Sequence, residues 1–167
     1  DLVFPATSGG DLLRYGIRSH FHVLISQDPS TRAPHSRDWM AERAPLTLGY
    51  LQQFKQVLLS RGSRAVREFA EQTEFYAMYG IGEYTFARYR VVWKRMAQSM
   101  AATVLSTLRT PYGSKPVVST DTTSFIVAST RPEAHYLCAV LNSDLADAYI
   151  RSFSSGGRGF GAPSVVQ

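Results

Sequence analysis

The spacing of apolar and polar positions predicts four strands in this chain. The run HFHVLIS at residues 20–26 is apolar, and the turn residues Asp-Pro-Ser follow it. RYRVVWK at residues 88–94 has the β-branched and aromatic side chains that favour strand pairing. Two further runs, 101–108 and 122–129, predict strands on either side of a Thr-Pro-Tyr-Gly turn at residues 110–113.

A stripe of apolar residues predicts a helix in the middle of the chain. Residues 48, 51, 54 and 58 recur at helical spacing behind a candidate N-cap at Thr47, and Gly62 suits the end of the helix. A shorter helix is predicted over residues 65–70. The polar, Pro-containing residues 27–45 that precede the stripe predict a long surface loop.

The last predicted element is a helix over residues 130–151. Thr130-Arg131-Pro132-Glu133 has the form of a capping box with Pro in the first turn, and Ser-Ser-Gly-Gly at residues 154–157 ends the apolar face that follows. Strands and helices are mixed without regular alternation, which predicts an α+β fold. We expect a single mixed domain over residues 1–167, with irregular, mostly antiparallel strands and a few packed helices.

Composition narrows the class of protein. The 167 residues are 44% hydrophobic and 19% charged, as in globular domains, and Cys138 is the one cysteine, which excludes an intramolecular disulfide and a Cys-based zinc cluster. No stretch free of Asp, Glu, Lys and Arg exceeds thirteen residues, so no membrane contact is expected and the expected location is cytoplasmic. Because the first residue is Asp1 rather than Met, we expect a piece of a longer protein.

Catalytic motifs are missing from the sequence. It contains neither a P-loop pattern nor a Ser-His-Asp elbow. The carboxylate pairs Glu68 with Glu71 and Asp144 with Asp147 have the spacing of solvated helix faces, and Cys138 lies on an apolar face where a buried, inert thiol is expected. The chain is therefore not expected to be an enzyme on its own.

Two other features have alternative interpretations. His20 and His22 alternate on a predicted strand and could begin a metal site, but His35 and His135 lack the spacing of a third ligand, so we expect packing or surface histidines and no metal. The GGRGFG segment at residues 156–161 is interpreted either as a helix stop with a loop or as a phosphate contact through Arg158.

Charge is distributed unevenly along the chain. Lys and Arg total 18 against 13 Asp and Glu, yet residues 84–120 hold six basic residues and no acidic one. Strand alternation would place Arg88 and Arg90 on one face of the RYRVVWK strand, and Tyr89 and Trp93 on the other, where we assign them to packing. Such a strand suits nucleic acid, through guanidinium contacts with phosphates or guanines, and it equally suits a solvated face over a core.

Four segments carry a family resemblance. They are DLVFPATSGGDLLRYG, PLTLGYLQQFKQVLLSRG, IGEYTFARYRVVWKRM and AHYLCAVLNSDLADAYIRSFSSGGRGFG. In this order they resemble the C-terminal target-recognition region of adenine-specific DNA methyltransferases, including the fused methylation–restriction enzymes of type II systems. The segments together cover most of the chain.

The resemblance implies that catalysis and site recognition are performed by separate domains of a larger protein. In such enzymes a separate N-terminal catalytic domain binds S-adenosylmethionine and holds the flipped adenine through an Asn-Pro-Pro-Tyr-type motif. Neither that motif nor a cofactor loop occurs in this sequence, so no cofactor is expected in this fragment. The implied partners are double-stranded DNA and the catalytic domain of the same chain, and the implied role is site recognition.

Seven basic residues are candidates for contact with DNA. We expect groove or phosphate contacts first from Arg88, Arg90, Lys94 and Arg95, and second from Arg109, Lys115 and Arg158. Two other classes of function remain. A protein-interaction module would dock another subunit through the stripe on the 130–151 helix, whereas a small hydrolase or nuclease would need a carboxylate cluster that the spacing does not provide.

Overall fold

The computed structural model describes residues 2–153. Contacts divide these residues into two compact units, one formed by residues 2–3 and 24–85 and the other by residues 4–23 and 86–153. Helices and mostly antiparallel strands in small sheets make the fold α+β, which confirms the predicted class. The assignment of residues 1–167 to one recognition domain stays a prediction.

The elements of the described part are short. The strands are β1 Val3–Thr7, β2 Leu12–Leu13, β3 Gly16–Ile17, β4 Phe21–Leu24, β5 Tyr89–Lys94, β6 Ala102–Leu105, β7 Thr107–Thr110, β8 Gly113–Pro116, β9 Val118–Ser119 and β10 Thr123–Ala128. The helices are α1 Arg37–Arg43, α2 Pro45–Gln53, α3 Lys55–Leu59, α4 Arg64–Gln72, α5 Arg131–Leu141 and α6 Asp144–Phe153. None of these helices combines the length and the hydropathy that crossing a bilayer requires.

Helices α1 to α4 make up most of the first unit. The prediction of a loop throughout residues 27–45 is wrong at its end, because Ser36 starts α1: its Oγ accepts a hydrogen bond from the N–H of Trp39 at 3.2 Å. Met40 of α1 is fully buried in a cluster with Leu48, Phe75 and Tyr76. This cluster is the core of the unit.

The helix predicted from Thr47 to about Gly62 is in fact two helices. Pro45 is the first residue of α2, a position that suits proline because the first N–H of a helix has no partner within it. Phe54 then leaves helical geometry, with φ −103° and ψ 11°, and separates α2 from α3. The short helix predicted over residues 65–70 is confirmed by α4.

A three-stranded antiparallel sheet, in the order β10-β5-β6, is central to the second unit. Trp93 of β5 packs with Met100, Ala134 and Cys138 on the side where α5 lies, whereas Val92 packs with another cluster. The members of that other cluster are Leu12, Val92, Leu105 and Val117. Strand β5 is therefore buried on both faces, which makes burial of its apolar side chains its main source of stability.

The remaining strands of this unit form smaller sheets. β1 lies between β4 and β9, and Ala6 of β1 pairs in parallel with Val118 of β9. β2 with β3 and β7 with β8 form two antiparallel ribbons. The predicted turn at residues 110–113 is confirmed as the turn of the β7–β8 hairpin, where Gly113 has a φ of +110° that favours glycine.

The single helix predicted over residues 130–151 is two helices, α5 and α6. The capping box is confirmed: Thr130 Oγ1 accepts from the N–H of Glu133 at 3.3 Å, and the Glu133 carboxylate accepts from the N–H of Thr130. The break falls at Asn142 and Ser143, because the Ser143 hydroxyl accepts from the N–H of Ala146 at 3.2 Å and so starts α6.

Cys138 of α5 and Asp147 of α6 are both buried. The prediction that the Cys138 thiol is buried is confirmed, and burial raises its pKa. The prediction that Asp147 is solvated is wrong: it is 4% exposed, and its Oδ1 accepts from the N–H of Met100 at 2.6 Å. Its partner in the predicted pair, Asp144, has a side chain that is 98% exposed.

Candidate nucleic-acid interface

Arg90 is a core residue, which corrects its prediction as a DNA contact. Because both faces of β5 are covered, alternation places Arg90 beside Val92 in the interior rather than in solvent. The side chain is fully buried, its Nη2 donates to the carbonyl of Val117, and its guanidinium lies 5.9 Å from the ring centroid of Phe125. Burial lowers its pKa to about 10.

The other three residues that were expected first as DNA contacts lie at opposite ends of β5. Arg88 precedes the strand, whereas Lys94 ends it and Arg95 follows. At about 3.3 Å per residue, Arg88 and Lys94 are roughly 20 Å apart along the strand. Arg95 is tied locally, because its Nη1 donates to the carbonyl of Asp121 at 3.1 Å. The structure therefore does not bring these residues into one cluster.

The residues of the second expected group, Arg109, Lys115 and Arg158, do not form a cluster among the described residues either. Arg109 and Lys115 both belong to the β7–β8 hairpin, but Arg109 pairs with Ser114 whereas Lys115 pairs with Leu108, so the two basic side chains lie on opposite faces. The ammonium of Lys115 lies 4.5 Å from the ring centroid of Phe4, and partial burial lowers its pKa. Arg158 lies outside the described residues.

Arg88 lies in a cleft of about 390 Å³ in the second unit. The cleft is lined by Arg88, Tyr89, Val104, Ser106, Thr107, Arg131 and His135. The guanidinium of Arg88 lies 5.3 Å from the ring centroid of Tyr89, at a cation–π distance. Among the described residues that line the cleft, none is acidic.

Helix α5 contributes two further nitrogen-bearing side chains to the cleft, Arg131 and His135. Arg131 is its first residue and His135 lies four residues later, so the two share one face, with Arg131 Nε 3.5 Å from His135 Nε2. The nearby acid Glu133 is occupied by the capping box, where it accepts from the N–H groups of Ser129 and Thr130. The capping box thus fixes the start of the helix that positions Arg131.

The arrangement provides hydrogen-bond donors for an anion. Guanidinium forks such as those of Arg88 and Arg131 bind phosphate oxygens in bidentate geometry, and the hydroxyls of Ser106 and Thr107 add further donors. Within residues 2–153, no group of three or more His, Cys, Asp or Glu side chains could hold a metal ion. The rings of His20 and His22 lie 5.8 Å apart in an edge-on contact.

Sequence reasoning missed Arg131 and His135 as candidates. Their i, i+4 spacing at a capped helix start was a usable signal for a shared face. Their proximity to Arg88 could not be predicted from the sequence, because it depends on the antiparallel register of β10 and β5. That register pairs Ala128 with Tyr89 and so places the start of α5 beside the start of β5.

Comparison with known proteins adds no family to these observations. The chain matches no protein-family model, and no curated protein sequence matches it.

Proposed function

We propose that this chain is the sequence-specific duplex DNA recognition domain of an adenine-N6 DNA methyltransferase or a fused restriction–modification enzyme. The observation that carries the proposal is the cleft, where Arg88, Arg131 and His135 converge with two hydroxyl residues and where the described lining holds no acidic residue. Two guanidinium groups and an imidazole around one open depression suit the phosphate backbone, which supplies most of the affinity of DNA-binding proteins.

The charge of the surrounding chain supports the same proposal. The acid-free residues 84–120 supply Arg88 at the cleft and Arg109 on the exposed face of the hairpin. An acid placed among them would repel phosphates, so a surface without one can approach DNA at lower electrostatic cost. The family resemblance described above supports the assignment to adenine-specific enzymes.

The proposal places the chemistry outside this chain. S-adenosylmethionine and the flipped adenine would be bound by the N-terminal catalytic domain of the parent protein, in the cytoplasm. The chain would supply affinity for the duplex and selection of the site. Binding and chemistry separate naturally in such enzymes, because a base must leave the stack before it reacts while another surface holds the duplex.

Salt dependence of duplex binding tests the proposal. The 167-residue chain is titrated onto a fluorescently labelled duplex at several salt concentrations, and the logarithm of the association constant is plotted against that of the salt concentration. Arg88→Ala and Arg131→Ala should each flatten the slope by about one unit. Arg64→Ala is the matched control, since Arg64 is exposed and paired with Glu68 in the first unit. Absence of binding, or binding that salt does not weaken, would overturn the proposal.

A second candidate function, docking of another protein subunit, is favoured by exposed apolar side chains. On α5 and α6, Tyr136 is 69% exposed and Leu145 82% exposed, and the rings of Tyr149 and Phe153 lie 4.9 Å apart at the surface. Such a surface predicts a complex that survives moderate salt. Sedimentation of the chain at moderate salt, with and without Leu145→Asp, distinguishes this candidate from salt-sensitive DNA binding.

A further inference from the structure

The geometry points to the β7–β8 hairpin as the element that reads base edges in the major groove of DNA, with Arg109 and Ser114 as the reading pair. This inference rests on the proposed function, because it assigns site selection to a particular part of the proposed DNA surface. The candidate DNA contacts expected from the sequence were not divided between phosphate binding and base reading, and this inference assigns the two roles to different residues. The cleft would hold phosphate, and the hairpin would read sequence.

The register of the hairpin places three of its polar side chains together on one face. Arg109 lies directly opposite Ser114, and Thr107 lies opposite Pro116, so Thr107, Arg109 and Ser114 share a face. All three are exposed. Thr107 also lines the cleft, which makes this face of the hairpin continuous with the cleft. A duplex held at Arg88 would therefore lie beside Arg109.

The opposite face anchors the hairpin to the second unit. Leu108 packs against the buried cluster that contains Leu105 and Val117. Lys115 lies over the ring of Phe4 and within 5.8 Å of the ring centroid of Tyr112. A ribbon attached through one face and free on the other can lay its free face in a groove, as β-ribbon DNA readers do.

The buried Arg90 holds the base of this hairpin. Its guanidinium donates to the carbonyl of Val117, directly after β8, and so links the hairpin to the central strand β5. At the tip, Thr110 Oγ1 accepts from the N–H of Tyr112 at 3.3 Å and donates to the carbonyl of Gly113 at 2.7 Å. Both ends of the ribbon are therefore ordered before DNA binds, which lowers the entropic cost of binding.

The dimensions and chemistry of the free face suit the major groove. The groove is about 12 Å wide and admits a two-stranded ribbon, whose strands lie about 4.8 Å apart. Within residues 2–153, the Arg109 guanidinium makes no hydrogen bond or ion pair, so its fork is available. Arginine reads guanine through two hydrogen bonds, and the Ser114 hydroxyl can donate to or accept from a neighbouring base.

Selection from a pool of duplexes with a randomised central segment tests the inference. The 167-residue chain, Arg109→Lys, Ser114→Ala and the control Arg88→Ala are each used to select bound duplexes, which are then sequenced. Arg109→Lys retains the charge but loses the guanidinium fork, so it should reduce the preference for guanine at one position by roughly 5- to 150-fold while retaining affinity for unselected duplexes. Arg88→Ala should weaken all duplexes equally and leave the preference unchanged.

The outcomes separate the two proposals. If Arg109→Lys and Ser114→Ala both select the same sequences as the unaltered chain, or if the unaltered chain binds duplexes without any preference, the hairpin assignment is overturned while DNA binding stands. If the unaltered chain binds no duplex at all, the proposed function fails together with the hairpin assignment. Circular dichroism confirms folding, and the conservative Arg109→Lys keeps the test decisive if Ser114→Ala unfolds.

Discussion

The side-chain amide of Asn142 exchanges two hydrogen bonds with the backbone of Ala102. Oδ1 accepts from the Ala102 N–H at 2.9 Å, and Nδ2 donates to the Ala102 carbonyl at 2.8 Å. Ala102 begins β6, the edge strand of the central sheet, so the amide pairs with that edge as the peptide group of another strand would. Asn142 is the chain's only asparagine. It lies at the break between α5 and α6, and its amide satisfies the N–H and the carbonyl of Ala102 at the sheet edge.

Asn142→Ala should therefore destabilise the second unit. Removing the amide leaves the buried N–H of Ala102 without this acceptor, and an unsatisfied buried group costs about 1–3 kcal/mol. Urea unfolding followed by the fluorescence of Trp93, which pairs with Ala102 across the sheet, measures the change in a Trp39→Phe background. Gln98→Ala is an exposed control. Equal midpoints for the two variants would contradict a stabilising role for Asn142.

The two aspartates at the start of α6 should differ sharply when replaced. Asp147→Ala removes the acceptor of the buried Met100 N–H and the partner of Arg151, whose Nη2 lies 2.7 Å from Asp147 Oδ2, so the free energy of unfolding should fall by about 1–3 kcal/mol. Asp144→Ala removes an exposed carboxylate and should change it by less than about 0.5 kcal/mol. The same unfolding assay compares them, and similar losses would show that Asp147 is not the buried acceptor described.

Arg88 and Arg90 should have opposite effects on DNA binding and on stability. Arg88→Ala should flatten the salt slope by about one unit with little effect on unfolding. Arg90→Met removes the buried donor of the Val117 carbonyl, so it should lower the free energy of unfolding by about 1–3 kcal/mol and leave the salt slope unchanged wherever the protein remains folded. A flattened slope for Arg90→Met would place that guanidinium at the DNA surface after all.

Acid should destabilise the first unit through His35. Its ring stacks on Trp39 with centroids 3.8 Å apart, and partial burial lowers its pKa below the ordinary 6.5. A lowered pKa in the folded state means that the contribution of His35 is present above 6.5 and is lost as pH falls through the folded value. Between about pH 7 and pH 5, the unaltered chain should lose more stability than His35→Phe, which keeps the stacking without the charge.

Trp39 fluorescence in a Trp93→Phe background measures this difference, because the chain has two tryptophans and Trp39 then reports alone. The comparison is between the slopes of unfolding free energy against pH, so other titrating groups cancel. Parallel slopes for the two proteins would exclude His35 as a source of acid sensitivity.

Local signals predicted several elements correctly. The run that became β5 was found because β-branched and aromatic side chains favour a buried strand, and the start of α5 was found because Thr130 and Glu133 carry the capping box within four residues. Cys138 was correctly expected in the core, since it lies on an apolar helix face. In each case the signal that predicted the structure lies between neighbours in sequence.

The errors involve residues whose partners are distant in sequence. Arg90 was expected in solvent because alternation normally leaves one face of a strand exposed, yet the cluster containing Leu12 and Val117 covers that face. Asp147 was expected in solvent, yet its acceptor oxygen satisfies an N–H 47 residues away. Likewise, one helix was expected across Asn142, yet α5 ends there and the Asn142 amide hydrogen-bonds with Ala102 of β6, 40 residues away.

The sequence alone therefore determined the α+β class, the strand propensities, the capped start of α5 and the acid-free basic region from residue 84 to residue 120. Tertiary structure alone decided which arginines are accessible, and it brought Arg131 and His135 of α5 to Arg88. The physical reason is that composition and capping are local, whereas burial and register depend on which faces of different elements meet.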